Sequence, residues 1–149
     1  MLSPRSLALL LSMACAGCAP IPHEATVQPA ISGSLTNAGT PVVGREIWAA
    51  DGTDADPCAR PSVKVTTDQD GRFLLPRQTE LRLIYAPLFM SPSKLVRLCT
   101  ATTGKPLLIF RRGFIPTTPR AIELACDLER PASKQTMAGL CSVRSTTES

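Results

Sequence analysis

Hydrophobic and polar residues alternate in short segments along much of the chain, and turn-forming residues separate these segments. In "ISGSLT" the alternation places Ile31, Gly33 and Leu35 on one face. In "SVKVTTD" it directs Val63 and Val65 to one side and the polar residues to the other. Short segments with a period of two residues, broken by turn residues, are typical of β-strands in a sandwich or barrel. The pattern therefore predicts an all-β domain.

The same pattern predicts further strands in "REIWAA", "RFLL", "KLVRLCTA" and "PLLIFRR". Glycines in "DQDG" and "TTGK" favour hairpins, one joining "SVKVTTD" to "RFLL" and the other joining "KLVRLCTA" to "PLLIFRR". The segment 107–110 is apolar on both faces, which favours a central strand covered from two sides. In "RAIELACDL" the alternation places Cys126 on the core face with Ile122 and Leu124. We predict a small antiparallel β-sandwich of about seven to eight strands over residues 31–130.

The two ends of the chain have a different character. Residues 1–17 have the organisation of an export signal, with a positive charge at Arg5, a short apolar run and small residues after it. The run is about ten residues long, half of what a membrane-spanning helix needs. Residues 18–30 are rich in proline and are expected to form a flexible tether, and residues 131–149 a polar tail tied down by a disulfide near Cys141.

Charge and composition exclude several functions. A net charge of +4 without a clustered basic stripe does not fit a nucleic-acid binder. The single histidine, His23, lies in the predicted tether, and no nucleophile is flanked by a base, so we expect neither an enzyme nor a bound cofactor. Two loops carry carboxylates of the kind that bind Ca²⁺, namely Asp51, Asp54, Asp56, Asp68 and Asp70. Their spacing does not match the twelve-residue ligand loop of calcium-binding proteins. We therefore expect them to be solvated turn residues and expect no bound metal.

Four cysteines follow the signal and tether, namely Cys58, Cys99, Cys126 and Cys141. An even number of cysteines in an exported chain indicates disulfides. A zinc site is disfavoured, since the domain has no pair of cysteines separated by two residues and no histidine. Three pairings are open. We favour Cys126 with Cys141, which are nearest in sequence, and this leaves Cys58 with Cys99.

The end of the signal, "CAGC", resembles a bacterial lipoprotein signal, although Cys15 stands where that signal usually has leucine. The resemblance implies that Cys18 is lipidated and that Cys15 leaves with the signal; ordinary cleavage nearby is the alternative. Pro20, in place of an aspartate, implies outer-membrane residence. Two or three acyl chains hold a protein on a membrane almost permanently.

The segments "ISGSLTNAGTPVVGREIWAA" and "VKVTTDQDGRFLLP" resemble the carboxypeptidase-regulatory-like domain, a transthyretin-like β-sandwich, and "GF" at 113–114 is similar to the family's glycine-aromatic corner. The matching residues of the two segments are Gly33, Gly39, Pro41, Val42, Val43, Gly44, Thr67, Asp68, Gly71, Phe73 and Leu75. We expect Asp68 to accept backbone hydrogen bonds, Gly71 to adopt a positive φ and Phe73 to enter the core. The resemblance concerns the fold and implies no activity.

The sequence offers few candidate binding residues. An apolar loop with Leu88, Phe89 and Met90 could contact a partner or lipid, or could cap the sandwich. Arg111 and Arg112 could meet an anionic surface or remain solvated. For Trp48, the only tryptophan, core packing is favoured over ligand stacking.

These features predict a lipid-anchored, non-catalytic binding or structural module of the cell envelope. It would face the periplasm from the outer membrane or be displayed on the cell surface, serve an envelope or secretion assembly, and have an envelope protein as its partner. The alternative is an inhibitor of a periplasmic or host hydrolase such as lysozyme. A projecting loop with a polar tip, at 51–61 or 88–93, would favour inhibition.

Overall fold

The computed structural model describes residues 21–84, 94–114, 120–129 and 139–148 of the chain. These residues form eleven strands: β1 (Ile21–Gln28), β2 (Ile31–Asn37), β3 (Thr40–Pro41), β4 (Glu46–Ala50), β5 (Pro61–Thr66), β6 (Arg72–Leu75), β7 (Gln78–Ile84), β8 (Lys94–Thr102), β9 (Lys105–Phe114), β10 (Arg120–Asp127) and β11 (Cys141–Glu148). No helix that is long and apolar enough to cross a membrane occurs in the described ranges.

Two sheets pack face to face. The first sheet has the order β11-β10-β2, and both β3 and β6 pair with the remaining edge of β2. The second sheet has the order β5-β4-β8-β9. A single core lies between them, to which the first sheet contributes Ile31, Leu35, Phe73, Leu75, Ile122 and Leu124, and the second Ile47, Ala49, Val96, Leu98, Ile109 and Phe110. The predicted all-β sandwich is confirmed, with more strands than expected and with one parallel pair, β2 with β10, among the described antiparallel pairs.

The additional strands come mainly from the chain ends. Residues 21–28, predicted to be part of a flexible tether, form β1, which pairs antiparallel with β7. This two-stranded ribbon continues the pairing of β2 with β6 beyond a corner. Pro29, which is buried, and Pro76, which is exposed, interrupt the two strands there, because proline has no N–H to donate to a ladder. The Gln28 side chain donates from Nε2 to the Pro76 carbonyl at 3.3 Å and holds the corner closed.

The C-terminal residues also belong to the sandwich. Residues 141–148, predicted as part of a polar tail, form β11 at the edge of the first sheet, paired antiparallel with β10. Cys141 lies opposite Cys126 and is bonded to it. The predicted core face of β10 is confirmed, since Ile122, Leu124 and Cys126 are all buried.

The turn "DQDG" has the predicted local geometry but a different role. Asp68 Oδ1 accepts from the backbone N–H groups of Asp70 and Arg72 at 2.9 and 2.8 Å, and Gly71 has φ 71°. Phe73 is buried, as expected. The hairpin prediction was wrong, because β5 pairs with β4 in the second sheet while β6 pairs with β2 in the first. The turn therefore carries the chain from one sheet to the other.

The hairpin of β8 and β9 across Gly104 is confirmed. The prediction that 107–110 is a central strand was wrong, because β9 lies at the edge of the second sheet as described. Its apolar side chains are nevertheless covered on both faces, because Leu107, Ile109 and Phe110 pack into the central core and Leu108 packs against a second buried group on the other face. Gly139 forms an isolated bridge with Phe110, so the edge of β9 is paired at that point. A buried strand and an edge strand can thus share the same apolar sequence.

Candidate functional site

A loop formed by residues 51–60 lies over the outer face of the second sheet; we call it the stapled loop. On that face Trp48 of β4 lies directly opposite Cys99 of β8. The disulfide Cys58–Cys99 joins the loop to the sheet, and Trp48 Nε1 donates to the Cys58 carbonyl at 3.4 Å. Together with Ala50, these residues form a small buried group that is separate from the central core. We call this group the outer cluster.

The two disulfides, Cys58–Cys99 and Cys126–Cys141, are the pairs favoured from the sequence. The expected packing of Trp48 is also confirmed in that its side chain is buried, although in the outer cluster and not between the sheets. Lys64 of β5 places its ammonium 5.7 Å from the centre of the indole ring. The tryptophan is therefore enclosed by the sheet, the loop and a cation.

Backbone contacts give the stapled loop a defined shape. Asp51 N–H donates to the Arg60 carbonyl at its base at 3.3 Å, and Thr53 N–H donates to the Asp56 carbonyl at 3.0 Å. Gly52 is buried, and a Cβ atom there would clash with the carbonyl oxygens of Asp56 and Pro57. Only glycine fits this position without moving the loop. The tip of the loop, residues 53–56, remains exposed.

Asp54 at the tip binds two arginines of the sheet. Its Oδ1 lies 3.2 Å from Arg97 Nη2 and 3.4 Å from Arg111 Nη1. Arg97 and Arg111 are opposite each other on β8 and β9, where two like charges would repel without a shared anion. Asp54, Arg97 and Arg111 form what we call the ion cluster. It carries one more positive charge than negative.

Arg97 is an unusual residue for its position. Its side chain is 9% exposed, whereas that of Asp54 is 74% exposed. A guanidinium has five N–H donors and is almost never buried without partners. Within the described part of the chain, Arg97 Nε is buried and has no hydrogen-bond partner. The ion pair with Asp54 therefore leaves the Nε–H donor of the Arg97 guanidinium without a partner in the described residues.

A cleft of about 470 Å³ lies where β4 ends and β8 begins, against the ribbon of β1 and β7. Its polar lining comes from both sides and consists of Gln28, Gln78 and Glu80 of the ribbon and Asp51, Ser62, Lys94 and Arg97 of the second sheet and its loop. The apolar walls include Val27 and Leu95. This volume is in the range of sites for small molecules.

Hydrogen bonds hold the ribbon side of the cleft in place. Ser62 Oγ lies 3.4 Å from Gln28 Oε1 and 3.2 Å from the Ala49 carbonyl oxygen. Across the mouth, Lys94 Nζ lies 3.9 Å from a carboxylate oxygen of Glu80. The Ser62–Gln28 and Lys94–Glu80 contacts both connect the ribbon to the second sheet, so they hold the two walls of the cleft together.

A second, shallower depression of about 290 Å³ lies on the outer face of the first sheet. Its lining includes Arg72, Arg144 and Glu123, all of which are exposed. No buried charge is part of it as described. It is therefore a weaker candidate than the cleft.

The carboxylates considered for calcium lie apart from one another. Asp51, Asp54 and Asp56 belong to the stapled loop, whereas Asp68 and Asp70 lie in the turn between β5 and β6. All of them are exposed. Within the described ranges, no three histidine, cysteine or carboxylate side chains lie close enough together to hold a metal ion.

The predicted binding residues have separate positions. Cys18 and the apolar residues Leu88, Phe89 and Met90 lie outside the described residues. Arg111 belongs to the ion cluster, while its neighbour Arg112 is exposed on β9. The structure therefore gives a partner to one of the two arginines, and that partner is Asp54 of the stapled loop.

Sequence reasoning missed Arg97, the buried charge of the cleft. A signal for it existed in "KLVRLCTA", because Arg97 lies two residues before Cys99 and so shares its face of the strand. A disulfide to a loop on that face would cover the arginine as well. The sequence did not indicate that Gln28, placed in the predicted tether, would line the same cleft.

The fold and the site define a disulfide-stapled β-sandwich with a polar cleft at one end. Comparison of the chain with known protein families, with curated proteins and with solved structures finds no match. The residues of the site are therefore the basis for a functional assignment.

Proposed function

We propose that this protein is a lipid-anchored, non-catalytic binding module of the cell envelope, and that the cleft beside Arg97 is its binding site. The observation that carries the proposal is a cleft of about 470 Å³ between the ribbon and the second sheet, lined by polar and charged side chains from both. Clefts of this size with a few convergent polar groups are the usual binding sites of folded domains.

The proposed location is supported by the sequence and by the disulfides. Two disulfides persist in an oxidising compartment and are rare in the cytosol. The lipoprotein-like signal ends just before Cys18, and β1 begins at Ile21, so only Ala19 and Pro20 lie between the proposed anchor and the first strand. The three residue steps from Cys18 to Ile21 span at most about 10 Å. A lipid on Cys18 would hold the sandwich close to the outer membrane, facing the periplasm.

A binding role is favoured over catalysis by the lining of the cleft. Among its described residues are no histidine and no cysteine, and the Ser62 hydroxyl contacts the Gln28 amide, which is not a base. The Lys94 ammonium is a donor suited to holding an anion. The cleft has the groups needed for recognition, and an envelope protein could present such an anion.

Labelling with a palmitate analogue tests the anchor. We expect the full chain to be labelled and Cys18→Ala to lose the label. Cys15→Leu, which restores the usual residue of the resembling signals, is the matched control and should stay labelled. Equal labelling of Cys18→Ala and the unaltered chain would disprove the anchor.

Crosslinking of envelopes tests the binding role. Partners captured by the unaltered protein and lost in Lys94→Gln, which removes a charge that lines the cleft, but kept in Arg112→Gln, would support recognition through the cleft. If both variants capture the same partners as the unaltered protein, recognition through the cleft is contradicted. Far-UV circular dichroism of both variants shows whether the sandwich is retained.

Inhibition of a hydrolase is a second candidate, favoured by one observation. The stapled loop has an exposed tip and is held by a disulfide and by internal hydrogen bonds. A rigid loop loses little conformational entropy when it enters another protein's cleft. We expect lysozyme inhibition, if it occurs, to be lost in a double variant of the tip, Asp54→Ala/Asp56→Ala. Full lysozyme activity in an excess of the unaltered protein would exclude this candidate for that enzyme.

A further inference from the structure

We propose that the outer side of the ribbon, which we define by Leu81 and Glu24, rests on a bilayer of zwitterionic lipid, with the Leu81 side chain among the headgroups. The inference rests on the proposed lipid anchor and adds a second contact between the protein and the same membrane. It follows from three features of the ribbon: its short link to Cys18, the exposure and direction of Leu81, and the charge beside that leucine.

The link between the proposed anchor and the ribbon is short. Only Ala19 and Pro20 lie between Cys18 and the start of β1, and the three residue steps to Ile21 span at most about 10 Å. Ile21 pairs with Ile84, so the start of β1 and the end of β7 form the free end of the ribbon. Acyl chains on Cys18 would lie in the hydrocarbon layer. The free end of the ribbon is then held at the lipid headgroups.

Leu81 lies close to this free end. It precedes Ile84 by three residues, a distance of about 10 Å along a strand. Leu81 is 73% exposed, more than Leu74 of β6 at 64%. Single exposed leucines are common on protein surfaces, so it is the position of Leu81 near a membrane-held end that assigns it a role. Contact with lipid removes its apolar surface from water, which is favourable.

Leu81 points away from the cleft. Its neighbour Glu80 faces the cleft, where a carboxylate oxygen lies 3.9 Å from Lys94 Nζ, and successive residues of a strand point to opposite sides. Glu24 of β1 lies directly opposite Leu81, and residues paired in this way share one side of the ribbon. With this side on the membrane, the ribbon lies between the headgroups and the cleft. The polar lining of the cleft is then not buried against lipid.

The charge beside Leu81 selects the kind of lipid. Glu24 is exposed, and its carboxylate shares the outer side of the ribbon with the leucine. A carboxylate is repelled by an anionic headgroup and attracted by the ammonium group of a zwitterionic headgroup such as that of phosphatidylethanolamine. An apolar side chain next to a carboxylate therefore fits a zwitterionic surface better than an anionic one.

Nuclear magnetic resonance of the lipidated chain in nanodiscs of phosphatidylethanolamine tests the proposal. A small fraction of the lipid carries a nitroxide in its headgroup, which broadens the signals of nearby backbone amides. We expect strong broadening at Leu81 and Glu24 and little at Leu74, a leucine of similar exposure outside the ribbon. Equal broadening at the two leucines, or none at Leu81, would overturn the proposal.

A matched pair of variants tests the part played by the leucine. Leu81→Ser and Leu74→Ser each remove one exposed leucine from a strand. We expect Leu81→Ser to lose much of the broadening at Glu24 and Leu74→Ser to keep it. Unchanged broadening in Leu81→Ser would mean that the anchor alone positions the ribbon, and the contact through Leu81 would be rejected.

The lipid composition provides a further test. Replacing part of the phosphatidylethanolamine with anionic phosphatidylglycerol should reduce the broadening at Glu24, because the carboxylate is repelled. Stronger broadening on the anionic nanodiscs would overturn the assignment of a zwitterionic partner.

Failure of this inference is distinguishable from failure of the proposed function. Palmitate labelling reports on the anchor, and crosslinking through Lys94 reports on the cleft. A labelled protein that captures its partner but shows no broadening at Leu81 would reject only the contact between the ribbon and the membrane. Loss of the anchor would instead appear as an unlabelled Cys18.

Discussion

The central core and the outer cluster are both buried, yet they are held in different ways. The central core lies between two sheets, and its side chains come from alternate positions of strands. The outer cluster lies on the far side of the second sheet and is covered by a loop of irregular structure. One disulfide, the Trp48 hydrogen bond and the ion pairs of Asp54 with Arg97 and Arg111 join that loop to the sheet.

The difference indicates where the domain can carry function. A core between sheets is stabilised by many contacts, so single surface changes leave it intact. The outer cluster depends on few connections, and it borders the ion cluster through Asp54 and Arg97. We expect disturbance of the outer cluster to alter the cleft while the sandwich persists. The predictions below test this separation.

The largest effect is expected from removing the disulfide of the outer cluster. Cys58 and Cys99 are 41 residues apart, and the entropy of the unfolded chain alone predicts a loss of about 4 kcal/mol in the free energy of unfolding for Cys58→Ala/Cys99→Ala. Trp48, the only tryptophan, lies in this cluster and reports on it. We expect its fluorescence emission to shift to the red under native conditions.

The other disulfide supplies the control. Cys126 and Cys141 are 15 residues apart, for which the same relation predicts about 3 kcal/mol. Both cysteines border the central core, so Cys126→Ala/Cys141→Ala should lower stability without shifting the emission of the native protein. Equal emission shifts in the two double variants would show that the clusters are not separate.

A cavity in the central core should have the next largest effect. Leu124 is 0% exposed, and Leu124→Ala should reduce the free energy of unfolding by about 3 kcal/mol, as is typical of buried leucines. Leu74 of β6 is 64% exposed, and Leu74→Ala is the matched control with an expected change within about 0.5 kcal/mol. Chemical denaturation measures both. Similar losses in the two variants would contradict the assignment of the core face.

A smaller effect is expected from Trp48→Phe. The substitution keeps an aromatic ring in the outer cluster but removes the hydrogen bond to the Cys58 carbonyl, which costs about 1 kcal/mol. Because the variant has no tryptophan, far-UV circular dichroism should follow its unfolding. A loss as large as that of the disulfide variant would mean that the indole, and not the disulfide, holds the loop.

The smallest effect is expected from Lys64→Ala. Lys64 lies near the Trp48 ring and 3.0 Å from Glu46, but both charged side chains are about half exposed. Solvent screening limits such contacts to about 0.5 kcal/mol. Thermal unfolding at low and high salt checks this value, which should fall as the salt concentration rises. A loss above about 2 kcal/mol would show that Lys64 is part of the outer cluster and not its cover.

Local predictions from the sequence agree with the structure where they concern a few neighbouring residues. The alternation of Ile122, Leu124 and Cys126, and the turn chemistry of Asp68 and Gly71, depend on contacts within a strand or a turn. Predictions about partners of a strand were less successful. The segment 107–110 looks central because it is apolar, but β9 lies at the edge of the second sheet as described, and its side chains are covered by the central core and the outer cluster.

The sequence by itself determined the strand faces, the turns and the set of cysteines available for bonding, because these properties depend on residue type and a period of two. Only the tertiary structure decided that "DQDG" crosses between sheets, that residues 21–28 form a strand and that Arg97 is buried beside the cleft. Pairing and burial depend on which distant segments meet. Alternation within one segment does not indicate which other segment will pair with it. The cleft therefore exists only in the folded domain, where the ribbon, the second sheet and the stapled loop meet.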